Sequence, residues 1–103
     1  MPRMPVLCLS AAMLLGAGPA AAADAAAGAA LAERWCTGCH VTETAAKGTD
    51  AAPTFRSVAD RADLKDEEIE AWLSDPHPIM PDLKLTRAQI EDLTAYIRSL
   101  KSD

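Results

Sequence analysis

Cys36-Thr37-Gly38-Cys39-His40 is the stretch on which the reading of this chain turns. Two cysteines three apart, with a histidine directly after the second, form the pattern of a c-type haem attachment site. The spacing has a physical basis. On one short helical turn, both thiols can reach the two vinyl groups of one porphyrin and form thioethers. The next residue then sets an imidazole beneath the iron as the proximal axial ligand. Cys36 and Cys39 are therefore the candidate cofactor-binding residues, and His40 is the first candidate metal ligand.

Other uses of a Cys-x-x-Cys pair fit less well. A structural zinc site takes four ligands, and beyond the motif the chain offers only Cys8 and His77. Cys8 lies in a segment expected to be removed. A thioredoxin-like redox pair belongs with an alternating strand and helix pattern, and none is visible here.

Residues 1–23 read as a secretory signal peptide. Arg3 supplies the positive start, and Val6 to Leu15 forms an apolar run. Gly16, Gly18 and Pro19 break that run, and Ala21-Ala22-Ala23 offers a small-residue cleavage site before Asp24. The apolar run is too short and too alanine-rich at its end to read as a membrane span. No membrane anchor is expected after cleavage. Cys8 follows Pro5-Val6-Leu7, a poor context for a lipid anchor, and is read as a small apolar residue. Export to the bacterial periplasm is the expectation, where thiols are usually oxidised. The two cysteines left after cleavage match one haem.

The mature chain, residues 24–103, would hold about 80 residues and one small domain. A core of that size is marginal on its own. Its aromatics are Trp35, Phe55, Trp72 and Tyr96. A covalently held haem would be the largest apolar object in the core, so the chain without haem is expected to fold poorly. The full chain has 10 basic and 15 acidic side chains, a net charge of −5. Loss of Arg3 makes the balance one unit more negative. Nucleic acid is thereby excluded as a partner, since phosphate binding needs clustered Lys and Arg.

Three helices are expected, in an all-α chain. The first runs from Asp24 or Ala25 to near Cys39, with alanine as a good helix former and Asp24 as N-cap. Residues 40–61 show no sustained period and read as an irregular loop wrapping the haem edge. The second helix starts between Asp63 and Asp66. Its acids Asp66, Glu67 and Glu68 suit the helix dipole, Ile69, Trp72 and Leu73 form its buried face, and Pro76 ends it. The third begins at Thr86 with the capping box Thr86-Arg87-Ala88-Gln89. It carries the apolar stripe Ile90, Leu93, Ile97 and Leu100, joined by Tyr96.

Between the last two helices lies Asp75-Pro76-His77-Pro78-Ile79-Met80-Pro81. Its prolines forbid helix and favour a stiff extended strap. A strap of this kind can hold a weak ligand at a fixed distance. The candidates for the sixth iron ligand are Met80 and His77. Met80 is preferred, as the only methionine outside the leader. Its soft thioether favours ferrous iron and raises the potential.

The mature chain resembles the class I cytochromes c. The likeness rests on Gly28, Cys36-Thr37-Gly38-Cys39-His40, Pro53, Arg61, Ile79-Met80-Pro81, Leu93 and Tyr96. It implies the cytochrome c fold: three main helices around one covalently bound haem c, with crossing N- and C-terminal helices. Gly28 would permit close approach to Leu93 and Tyr96. The Pro53 carbonyl would accept a hydrogen bond from His40, and Arg61 and Trp72 would bond the haem propionates. At Ala32 the family often has an aromatic residue, so Leu31 or Trp35 would have to compensate in the packing.

These readings converge on a periplasmic one-electron carrier with a single His40/Met80-ligated haem iron. It is expected to be a monomer, not an enzyme, and to meet redox partner proteins transiently at the haem edge. Lys47, Lys84 and Arg87 could form a local basic rim there. Two other readings remain beside it. One is a haem subunit of a periplasmic dehydrogenase or oxidase complex. The other is an open-site haem enzyme or sensor.

Overall fold

In the computed structural model, the described residues are 2, 22–43, 48–49, 52–76 and 79–102. The leader expected over residues 1–23 lies almost wholly outside them, as do Lys47 and His77. Asp24 opens the first helix, α1 (Ala25–Trp35), by accepting from the backbone N–H of Ala26 and of Ala27. The helix stops four residues earlier than the sequence suggests. Residues 36–39 form a turn in which the Cys39 and His40 N–H groups donate to the Cys36 carbonyl. The attachment motif is thus a single turn closed on itself just beyond the helix.

The stretch expected to be irregular contains a short helix, α2 (Phe55–Ala59). Thr54 caps it by accepting from the Ser57 N–H, and Phe55 and Ala59 are its buried pair. Little more than one turn cannot establish a period, which is why periodicity missed it. The signal present was a cap residue followed by apolar residues four apart. Next comes α3 (Asp66–Ser74), with Asp66, Glu67 and Glu68 in its first turn. The Lys65 N–H donates to the Glu68 carboxylate at 2.8 Å, and Pro76 lies just past the end. The last helix is α4 (Arg87–Ser99), whose capping box forms as its sequence predicts between Thr86 and Gln89. Among the described residues there is no strand. No helix there is long and apolar enough to cross a membrane.

The core is built where α1 crosses α4. Ala32, Leu93, Tyr96 and Ile97 are buried there, and Phe55, Ala59, Leu64 and Ile69 join them. Gly28 shows why the crossing is close. A Cβ on Gly28 would sit 2.0 Å from the Asp92 carbonyl oxygen and 2.8 Å from the Tyr96 Cβ. The obstacle is backbone, so it cannot swing aside. The glycine that weakens α1 as an isolated helix is therefore what lets two helices meet. Ala32 is fully buried. Of the two residues offered to compensate for its size, Leu31 packs on the core while Trp35 stays 43 % exposed.

Arg98 ties α2, α3 and the segment between them to α4. Its guanidinium donates to the Asp66 carboxylate at 2.6 Å, and to the carbonyls of Ala59 and Leu64. The N-terminus of α3 and the C-terminus of α2 are thus fixed by one side chain. A Gly28→Ala variant is expected to lose about 3 kcal/mol of stability, since overpacking against backbone exceeds the small helix-propensity gain. In a thermal melt of the haem-loaded protein, that is a fall of about 10 °C or more. An unchanged melt would rule out the tight crossing.

Candidate functional site

The turn after α1 and the strap before α4 face each other across a cavity of about 500 Å³. Cys36, Cys39 and His40 line it from the turn, and Ile79, Met80 and Pro81 from the strap. Phe55 and Val58 of α2 and Leu93 and Ile97 of α4 close its depth. Ile69, Trp72 and Leu73 of α3 also line it. The expected buried face of α3 divides: Ile69 is buried and Leu73 packs on the core, whereas Trp72 is 39 % exposed.

Each ligand candidate is positioned by local chemistry. His40 Nδ1 lies 2.6 Å from the Pro53 carbonyl oxygen. A carbonyl can only accept, so Nδ1 carries a proton, which in the neutral ring leaves the Nε2 lone pair for a metal. The ring also packs on Phe55, with centroids 5.0 Å apart. The loop that bears Pro53 is pinned to the motif: the Thr49 N–H donates to the Cys39 carbonyl, and the Phe55 N–H to the Val41 carbonyl. Gly48 permits this closure. A Cβ there would lie 2.8 Å from the Val41 nitrogen and 3.0 Å from the His40 carbonyl carbon. In the sequence Gly48 falls inside the stretch read as an irregular loop, where a glycine carries no sign of the backbone it must pass.

Cys36 and Cys39 are both free thiols, the first buried and the second exposed. Burial pushes the Cys36 thiol up to about 11. Met80 is partly buried, and it follows a backbone position under strain. Ile79 has φ 88°, unusual for a β-branched residue, and its side chain is 92 % exposed at the cavity mouth. His77, the other candidate sixth ligand, lies outside the described residues.

Of the basic residues expected around the site, Lys47 lies outside the described residues, and the other two are paired. Lys84 pairs with Asp82 at 3.0 Å, and Arg87 with Glu91 at 3.1 Å. Arg61 lines the cavity and pairs with Asp63 at 3.0 Å. Each cation is answered by a carboxylate within a few residues, so these positions present little net positive field.

The residues present fit a haem. The cavity is lined mostly by aliphatic and aromatic side chains, and its volume lies within the roughly 300–1,000 Å³ of cofactor sites. Two thiols stand on one turn, with a histidine held at Nδ1 by the Pro53 carbonyl and a thioether from the facing strap. An apolar slot of this kind with two nitrogen and sulfur donors suits a flat apolar ring with a central iron.

Comparison with known proteins points the same way. The profile of the family described as cytochrome c oxidase, cbb3-type, subunit III matches residues 23–97. Cytochrome c-552 of Bradyrhizobium diazoefficiens is 44% identical over 96 residues, covering 92% of each chain. Cytochrome c oxidase subunit 2 of Alkalihalophilus pseudofirmus is 35% identical over 83 residues, which is 67% of this chain and 23% of that protein. No solved structure gives a significant match. With a profile covering most of its length and a relative of nearly equal extent, the chain belongs to the cytochrome c family, as a haem electron carrier whose cofactor is covalently bound haem c with its iron.

Proposed function

We propose that this protein is a periplasmic one-electron carrier, with Cys36 and Cys39 holding one haem and His40 and Met80 as its axial ligands. The observation that carries this reading is that Met80, distant in sequence, lines the same cavity as Cys36, Cys39 and His40. When bound, haem supplies one-electron chemistry between ferrous and ferric iron. The chain's own residues tune and shelter it. The Pro53 carbonyl orients His40 and raises its basicity. Phe55, Leu93 and Ile97 exclude water from the interior of the slot. Arg61 and Trp72, both on the cavity wall, are the candidates to hold the propionates. The reading assigns electron transfer and no bond chemistry to this slot.

A single measurement tests the ligand set: the visible and near-infrared spectrum of protein made with a working haem-attachment system. The reading expects haem retained through acid acetone, and a ferric methionine–iron charge-transfer band. Absence of that band with rapid carbon monoxide binding by the ferrous form would instead give the open-site reading. Mass of the exported protein reports the proposed cleavage after Ala23.

A second reading is a haem subunit of a respiratory complex. It is favoured by the subunit descriptions of the matched family and of the Alkalihalophilus protein. Size-exclusion of native extract separates the two. A free carrier elutes alone as a monomer, whereas a subunit elutes with its enzyme.

A further inference from the structure

The N-terminal end of α1 carries a contact that electron transfer does not use. The backbone N–H of Asp24 donates to the Asp92 Oδ1 at 2.8 Å, across 68 residues of sequence. Asp92 sits at the helix crossing itself, for its carbonyl is the group that Gly28 approaches. Asp24 is also the first residue after the proposed leader. We infer that Asp92 is the receptor for the α-amino group created by signal cleavage at Asp24, so that processing turns a neutral hydrogen bond into an ion pair spanning the α1–α4 crossing. The inference rests on the cleavage reading and is independent of the haem ligands.

The chemistry is as follows. A leader peptidase hydrolyses the Ala23–Asp24 bond with one water. Ala23 leaves as a carboxylate, and the Asp24 nitrogen becomes an ammonium at neutral pH, where α-amino groups are mostly protonated. That ammonium stands at the N-terminus of α1, the positive end of its dipole, where a cation is disfavoured. The Asp24 side chain is turned toward the Ala26 and Ala27 N–H groups that it caps. The Asp92 carboxylate, on another helix and already within hydrogen-bond distance of the Asp24 nitrogen, is the anion that would tie the new ammonium to α4. An uncleaved chain carries only an amide at that point, so it has the hydrogen bond without the charge pair.

The test compares four haem-loaded proteins: the mature form starting at Asp24, a form retaining Ala22 and Ala23 ahead of it, and Asp92→Asn in each. Asparagine keeps the shape and an oxygen acceptor, and the site is at the surface, so folding is expected in all four. The unfolding equilibrium is measured by denaturant, and α-amine reactivity by an acylating reagent near neutral pH. The substitution is expected to weaken folding about three- to fivefold more in the mature form than in the extended one, the scale of an exposed ion pair. It should also speed α-amine acylation in the mature form by about threefold, because the amine loses its carboxylate. Equal losses of stability in both forms, with unchanged acylation, would overturn the receptor role and leave cleavage standing. A mature first residue other than Asp24 would overturn the inference through the cleavage reading, and would leave the haem site untouched.

Discussion

Replacing both attachment thiols, Cys36→Ala with Cys39→Ala, is expected to abolish cooperative folding as well as covalent haem. The magnitude follows from the cavity. About 500 Å³ of mostly apolar-lined space would be left without its largest occupant. At about 24 cal/mol per Å³ of residual cavity, the penalty is of order 12 kcal/mol. Relaxation of the walls and entry of water through the mouth reduce it, so the figure is an upper bound. It still matches the whole stability of a typical domain, about 5–15 kcal/mol. A domain of about 80 residues has no second core to fall back on. The Leu93 and Ile97 side chains, which close the slot, also belong to the α1–α4 core, so loss of one loosens the other. Circular dichroism should show reduced helix and a broad, non-cooperative melt, with no red colour left in the protein after acid acetone. A sharp native-like melt of the double variant would show that the chain folds without haem.

How much of this was legible in the chain depended on which physical signal each residue carried. Helices α1, α3 and α4 were legible because each combines a cap with a sustained apolar period: Asp24 with the alanine run, the acids before Ile69, and Thr86/Gln89 ahead of Ile90, Leu93 and Ile97. The α2 helix was not, because five residues are too few to show a period. Gly28 was legible as an anomaly, a costly residue in a good helix, and its contact with Asp92 and Tyr96 explains the cost. Gly48 was an equal constraint and was missed, since glycine in a loop needs no explanation until a backbone is found beside it. The Pro53 carbonyl came only through the family resemblance, for a main-chain acceptor leaves no trace in side-chain identity. The partners of Lys84 and Arg87 were likewise not read from the sequence: Asp82 and Glu91 stand beside them, and pairing is a property of geometry rather than of composition.

Removing the thioether alone, Met80→Ala, is expected to leave the fold and the covalent haem and to change the electronics. Met80 is partly buried on a strap outside the helices, so the packing lost is small beside the ligand lost. Cys36, Cys39 and His40 lie on the opposite wall and remain held by the turn and by Pro53. Thioether ligation favours ferrous iron. Its removal should therefore lower the reduction potential by about 0.1–0.3 V, a fraction of the roughly 0.8 V over which axial ligands set haem potentials. The ferric near-infrared charge-transfer band should vanish, and the ferrous protein should gain rapid carbon monoxide binding. His77 is the control, because it lies three residues before Met80 in the sequence: His77→Ala should leave both the band and the potential in place. The opposite pattern, with the band kept in Met80→Ala and the potential shifted in His77→Ala, would move the sixth ligand to His77. Ile79 gives a graded check on the same point. Its positive φ favours glycine, so Ile79→Gly should keep the band while relaxing the strap. Faster displacement of Met80 by added imidazole in that variant would show that the strained turn, and not the thioether alone, keeps the sixth site closed.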